Sequence, residues 1–319
     1  MSELVAITGG AGFIGSHLAE GFVRAGYAVR IVDNLTTGSI SNLARVCAKT
    51  DFRNLDIRDA EGLAAAFHDA AIVLHHAALS SVPQSFDRVS YTHEVNVTGT
   101  LNVCSAALRA GVRRVVYASS SSVYGNNGAE VQIEGGTPSP LSPYALSKWI
   151  GELYAAHFAR EAALETVSVR YFNVFGPRQS LLSDYASVIP LFIRNVAERI
   201  RPTIFGDGTQ TRDFTYVDNI VEAVLRSVHR TIPSGSVVNI ATGKSISLNE
   251  LVSLLNQIFG SRSEPIYAPE RQGDIKHSRA SIELSNDLLG DYNLTELRDG
   301  LVKTARWFME ISGRSQHCE

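Results

Sequence analysis

The chain opens on a short apolar run, Leu4–Thr8, followed by a helical pattern from Phe13 to Ala25. Similar short runs recur at Val29–Val32, Phe52–Leu55, Ile72–His75, Arg114–Ala118 and Thr166–Phe172. Between them Glu61–Phe67, Asn96–Arg109 and Tyr144–Arg160 read as helices. Strands this short and apolar throughout, alternating with helices, argue a parallel sheet covered on both faces. The expected class is α/β: a Rossmann doubly wound parallel sheet with a smaller α/β substrate-binding domain.

Beyond Asn173 the texture changes. Gly176-Pro177-Arg178 breaks the chain, a polar loop runs to Ser187, and helices are expected from Ile189, Val217 and Leu248 around the glycine-rich stretch Gly206–Thr211. Residues 1–175 then form a dinucleotide-binding domain and residues 176–319 a substrate-binding domain. Segment 214–241, with a helix over Val217–Val228 and a strand over Ser236–Ile240, is expected to return to the first domain. Ser312–Glu319 reads as a frayed tail.

Composition narrows the class. Of 319 residues, 45% are hydrophobic and 19% charged, the balance of a globular enzyme. A net charge of −3 gives no general attraction to nucleic acid, so an anionic ligand must be met by a few placed arginines and helix N-termini. Cys47, Cys104 and Cys318 are too few and too scattered for a disulfide framework or a zinc site. That usage suits a reducing cytoplasm. Glu3 and the immediate strand are unlike a signal peptide, and no apolar run approaches the roughly 20 residues that span a bilayer.

Gly9-Gly10-Ala11-Gly12-Phe13-Ile14-Gly15 joins the first strand to the first helix. Glycines there allow a sharp turn and close approach of backbone to a pyrophosphate, and the helix N-terminus offers unpaired N–H groups. Asp33 ends the second strand, where a carboxylate accepts from both ribose hydroxyls and repels a 2′-phosphate. Asn34 and not arginine follows, so the cofactor expected is NAD. Asp56-Ile57 is placed for the adenine ring, and the small Ala77-Ala78 pair for close passage of the cofactor. His75 and His76 face opposite sides of a strand without acidic or cysteine companions, so no metal is expected.

Ser119-Ser120-Ser121-Ser122 follows the fifth strand, and Tyr144 and Lys148 stand four apart on one helix face. A free phenol has a pKa near ~10. An adjacent ammonium and a nicotinamide cation both favour its phenolate. Taken in this order on one sheet, a serine of the run with Tyr144 and Lys148 forms the expected catalytic set, and the family resemblance that these motifs carry implies Ser120 as the serine.

With these motifs the chain resembles the extended short-chain dehydrogenase/reductases that modify nucleotide sugars, in particular the UDP-hexose 4-epimerases and among them the UDP-N-acetylglucosamine 4-epimerases. The resemblance includes Ser81-Val82-Pro83-Gln84-Ser85, Asn96-Val97-Thr98-Gly99-Thr100, Arg170 to Arg178, Gly206-Asp207-Gly208, Arg212-Asp213-Phe214 and Arg271-Gln272-Gly273-Asp274. It implies that Asn96, Tyr144 and Lys148 join the cofactor site. It also implies that Arg212 and Arg271 hold a pyrophosphate, Asp274 a uridine ribose, and Asn173 and Ser122 the sugar. Ser121 and Ser122 stand where related dehydratases and decarboxylases carry acids, which disfavours elimination. Ser80, Ser187 and Ser278 replace bulkier residues of hexose-restricted relatives and leave room for an acetamido group.

The function this implies is NAD-dependent interconversion of UDP-GlcNAc and UDP-GalNAc, with UDP-Glc and UDP-Gal as further substrates, through a 4-keto sugar. UDP-glucuronate epimerisation, another nucleotide-sugar oxidoreduction and a non-catalytic NAD-sensing role are the alternatives. The resemblance further implies a homodimer formed through Asn96–Arg109 and Tyr144–Arg160.

Overall fold

The computed structural model describes residues 2–162, 164–180, 187–270 and 276–313. Up to Tyr171 strands and helices interleave: β1 (Leu4–Thr8), α1 (Phe13–Arg24), β2 (Ala28–Asp33), β3 (Thr50–Asn54), α2 (Ala60–Ala66) and β4 (Ala70–His75). Then come α3 (Val82–Asp87), α4 (Val89–His93), α5 (Gly99–Arg109), β5 (Arg114–Ser120), α6 (Pro143–Glu161) and β6 (Glu165–Tyr171). The remainder holds β7 (Val174–Phe175), α7 (Val188–Ala197), β8 (Thr203–Phe205), β9 (Thr211–Arg212), β10 (Thr215–Tyr216), α8 (Val217–His229) and β11 (Ser236–Ile240). It ends with β12 (Ile246–Ser247), α9 (Leu248–Phe259), β13 (Ile266–Ala268), β14 (His277–Ser278), α10 (Glu283–Leu289) and α11 (Leu297–Ile311).

Seven strands form one parallel sheet in the order β11-β6-β5-β4-β1-β2-β3. Side chains alternate across a strand, so each strand feeds two cores. Val5 and Ile7 of β1 pack with Leu18 and Phe22 of α1 and with Ile220 and Val224 of α8. Ala6 between them faces the other layer, with Val103 and Ala107 of α5 and Leu63 and Phe67. Burial on both faces is why β1 and β4 read as near-continuous apolar runs rather than alternating. A third core unites Phe192 and Ile193 of α7, Leu251 and Leu255 of α9, and Leu301 and Phe308 of α11. Among the described residues no helix is long and apolar enough to cross a membrane.

The helix expected from Asn96 starts differently. Residues 94–98 form a wide π turn, and regular α-helix begins only at Gly99. Asn96 sits buried inside that turn, committed to partners outside the helix. Such bulges re-aim a side chain at a small loss of helical geometry.

Helix α6 carries the tyrosine–lysine pair. Its start is built from Ser142, whose side chain accepts from the Ala145 N–H, and from Pro143, pre-set for the first helical position. Midway, Gly151 lets the helix lie against β5: a Cβ there would fall 2.2 Å from the Tyr117 Oη. Alanine in a helix interior gains about 1 kcal/mol over glycine, whereas overpacking a tight contact costs about 1–3 kcal/mol. Tyr117 is buried and cannot swing clear, so the clash should win. Gly151→Ala is expected to lower the urea midpoint by a net loss of about 1–2 kcal/mol; an unchanged or raised midpoint would contradict this packing.

Candidate active site

The first cavity, of about 220 Å³, lies at the carboxyl ends of β1, β2 and β4. The glycine loop forms its floor. Gly9 has φ 69°, and a Cβ on it would lie 2.6 Å from the Ala77 nitrogen. A Cβ on Gly15 would stand 2.1 Å from the Gly9 carbonyl oxygen. Helix α1 begins after Gly12 with no side-chain cap, so its first N–H groups face the cavity without a competing protein anion. Asp33 lies at the rim and accepts from the Ala11 N–H at 2.9 Å and the Leu35 N–H at 2.8 Å. Burial pushes its pKa up, and these two donors oppose that. An uncapped helix start, a backbone cradle and a carboxylate at the second strand fit an adenine dinucleotide.

Phe13, Ile14, Asn34, Ile57, Ala77 and Ala78 also line this cavity. Asp56 does so too, and its bonds from Arg58 hold its pKa down at about 2. Asn34 donates to the same carboxylate at 2.8 Å. Asn96 does not line the cavity. Its amide donates to the Leu79 carbonyl and the Ser147 hydroxyl, and its oxygen accepts from the Leu79 N–H. These bonds tie it to the loop after β4.

His75 bridges Thr8 and Thr100, while His76 pairs with the Tyr171 hydroxyl at 2.8 Å. Burial pulls the His76 pKa down to about 3, so the ring is neutral. Among the described residues there is no group of three or more side chains able to hold a metal.

Tyr144 and Lys148 project from the first two turns of α6, and both are buried. Tyr144 lines the first cavity and also a second one of about 430 Å³. The Ser120 hydroxyl, at the end of β5, donates to the Ser122 hydroxyl at 3.1 Å. Burial pushes the Tyr144 phenol pKa up, and the nearby Ser120 hydroxyl opposes that. Lys148 donates to the Ala118 carbonyl at 2.7 Å, and burial draws its pKa down to about 8 against the pull of Glu152. The ammonium is turned onto backbone, and desolvation of the phenol dominates.

The second cavity brings together Ser80, Ser120, Ser122, Asn173 and Ser187. Asn173 adopts φ 34°, held there by its amide bond to the Asp213 carbonyl at 2.9 Å. Asp213 is wholly buried and accepts from the Thr242 and Gly243 N–H groups and the Thr242 hydroxyl. Gln179 was not anticipated. It lines the cavity, donates to the Val174 carbonyl, and leaves its Oε1 buried without a partner. An amide placed just after the Gly-Pro-Arg break was the available signal.

Two other expected residues lie elsewhere. Ser278 sits on β14, paired in register with Arg212 of β9, and is not in the cavity wall. The Arg212 guanidinium donates to the Thr211 and Lys276 carbonyls. Arg271 and Asp274 lie outside the described residues.

The Gln179 loop is tied to the cofactor side by Arg178. This arginine bonds Glu20 at 2.6 Å and the Asn42 carbonyl at 2.9 Å, and lies 3.3 Å from His17.

A glycine loop on the first crossover, a carboxylate on the second strand and a Ser–Tyr–Lys set between two cavities define a dinucleotide-dependent enzyme of the short-chain dehydrogenase/reductase kind. The pattern of the NAD-dependent epimerase/dehydratase family matches residues 5–241, and the chain belongs to that family. Its cofactor is NAD. The chain is 36% identical to a UDP-glucose 4-epimerase of Mycolicibacterium smegmatis, over 96% of this chain and 98% of that one. Its fold superposes on a UDP-N-acetylglucosamine 4-epimerase of Methanobrevibacter ruminantium, solved with UDP-N-acetylmuramic acid. The TM-score is 0.92 at 36% identity, covering 98% of this chain and 100% of that chain. A Thermotoga maritima UDP-glucose 4-epimerase with UDP-glucose also gives 0.92, at 34% identity, covering 97% and 99%.

The Arg178 clamp carries a pH prediction. Burial, then the Arg178 charge, lowers the His17 pKa from 6.5 to about 4. Below pH 6.5 the unfolded chain takes up a proton that the folded ring refuses, so stability falls as pH drops from 6.5 toward 4. The loss attributable to this residue is on the order of 2–3 kcal/mol at the acid end. Thermal midpoints of wild type and His17→Asn measured across that window should converge as pH falls; parallel curves would contradict the assignment.

Proposed function

We propose that the protein interconverts the C4 epimers of a UDP-sugar, with UDP-GlcNAc and UDP-GalNAc as the preferred pair and UDP-Glc and UDP-Gal as further substrates. The observation that carries this reading is Tyr144 in the wall common to both cavities, with Ser120 beside it in the wall of the second. The chemistry that NAD supplies when bound is reversible acceptance of hydride from sugar C4. Tyr144 takes the proton of the C4 hydroxyl as that carbon is oxidised. Ser120 hydrogen-bonds the C4 oxygen while it is a carbonyl. After the 4-keto sugar has turned over, Tyr144 returns the proton to the oxygen on the other face. Lys148 keeps positive charge near the phenol and holds the nicotinamide ribose. The buried phenol needs that help, because burial alone opposes its ionisation.

Preference for an N-acetylated sugar rests on Ser80 and Ser187, two small side chains in the wall of the second cavity. Ser278 lends no support there. Arg212 and Arg271 are the proposed pyrophosphate ligands, and Asp274 the proposed ribose acceptor. We place residues 1–175 with 214–241 in the cofactor domain and the rest in the substrate domain. β11 beside β6 supports that division, as does α8 in the same core as α1. The protein is proposed to work in the cytoplasm as a homodimer. The outer faces of α5 and α6 leave Leu108, Leu146 and Leu153 exposed, at 39%, 44% and 54%, for a second copy to cover.

Proton NMR of the purified protein with UDP-GlcNAc, and separately with UDP-glucose, tests the reading without added cofactor. The C4 epimer should form faster from the first. Faster turnover of UDP-glucose would discard the two-serine argument. Absence of any epimer, even with NAD supplied, would discard the activity. Tyr144→Phe should lower kcat by about 10²–10⁴-fold, the usual worth of a positioned acid–base.

A further inference from the structure

Behind the tyrosine–lysine pair lies a buried ion pair to which the reaction assigns no role. Glu152, one helical turn beyond Lys148 on α6, meets the Arg170 guanidinium through both carboxylate oxygens, at 2.8 and 2.7 Å. Both side chains are nearly inaccessible, at 4% and 3%. The same carboxylate accepts from the Ser119 hydroxyl. Consecutive residues of β5 are thus held from α6: Ala118 by the Lys148 ammonium and Ser119 by Glu152. Ser120, which lines the second cavity with Tyr144, comes next.

We propose that Glu152 is a positioning residue for the catalytic set, holding the end of β5, and with it Ser120, against the turn of α6 that carries Lys148. This rests on the reading of Ser120, Tyr144 and Lys148 given above. Taking two ions out of water is expensive, and a buried pair is often no more stabilising than apolar residues of the same size. Arg170 stacks over the Tyr124 ring at 4.5 Å, which helps offset that cost, yet stability alone does not account for ions at this place. Lys148 supplies the reason.

The other titratable groups facing Lys148 are His75 and His76 at the end of β4, Tyr117 on β5 and Tyr144 on its own helix. Burial keeps the imidazoles neutral and pushes both phenols up. Glu152 is the anion that opposes desolvation of the ammonium. Lys148 sits close enough to neutral pH for that to matter.

The test is the pH profile of kcat for wild type, Glu152→Gln, Glu152→Asp and the charge-neutral pair Glu152→Met with Arg170→Met, with Tyr144→Phe as control. Removal of the carboxylate charge should move the alkaline limb down by about one pH unit, and Glu152→Asp should restore it. A purely structural role would lower Tm and kcat but leave the limb where it is, and that result overturns the proposal. If Glu152→Gln does not fold, the methionine pair decides by a smaller downward shift, because the Arg170 charge leaves with the carboxylate, and an unmoved limb overturns the proposal. If neither folds, the pair is structural and the proposal falls. Full activity of Tyr144→Phe would instead sink the catalytic reading itself, so the two failures are distinguishable.

Discussion

The seating of α6 on the carboxyl end of β5 is the contact on which the site depends. One side of it delivers Tyr144 and Lys148, and the other delivers Ser120. Gly151 removes the side chain that would hold helix and strand apart, and Tyr117 fills the space with its hydroxyl directed to the Lys148 carbonyl at 3.3 Å. Lys148 then reaches back to Ala118. A phenol must lie within hydrogen-bond reach of the oxygen it serves, so small errors in this seam would be felt at the reacting carbon. The long helix is rigid, and rigidity there is what lets one residue stand in the walls of two cavities.

The sheet explains where those cavities are. Strand order reverses between β4 and β1, so crossovers leave in opposite directions and a crevice opens at their carboxyl ends. The glycine loop, Asp33 and Asp56 all sit at that edge. The later part of the chain closes the crevice from above. Its own core, built on Phe192, Leu251 and Leu301, holds Ser187 and Phe214 against the second cavity. Arg178 and Asp213 tie that part back. One grips α1, and the other joins Asn173 to the loop at Thr242 and Gly243.

Much of this was legible in the residue pattern. Strand β1 spans the apolar run Leu4–Thr8, and β11 spans Ser236–Ile240, because continuous apolar runs have sharp ends. Glycine before a helix, and serine, tyrosine and lysine in order, are local signals of the same kind. Helix α11 was overlooked although Leu301, Ala305, Phe308 and Met309 repeat at helical spacing, because polar residues elsewhere in it dilute the signal. Gln179 and Glu152 were illegible for a different reason. An amide in a loop and a glutamate in a helix look like surface until the fold buries them.

The central claim is that C4 is oxidised and reduced within one site, without exchange with water. Epimerisation of a UDP-sugar carrying deuterium at C4, in ordinary water and without added cofactor, measures this most directly. The account predicts that the epimeric product keeps its deuterium at C4 through many turnovers. Loss of the label to solvent as the epimer forms would contradict it and require a different route across that carbon.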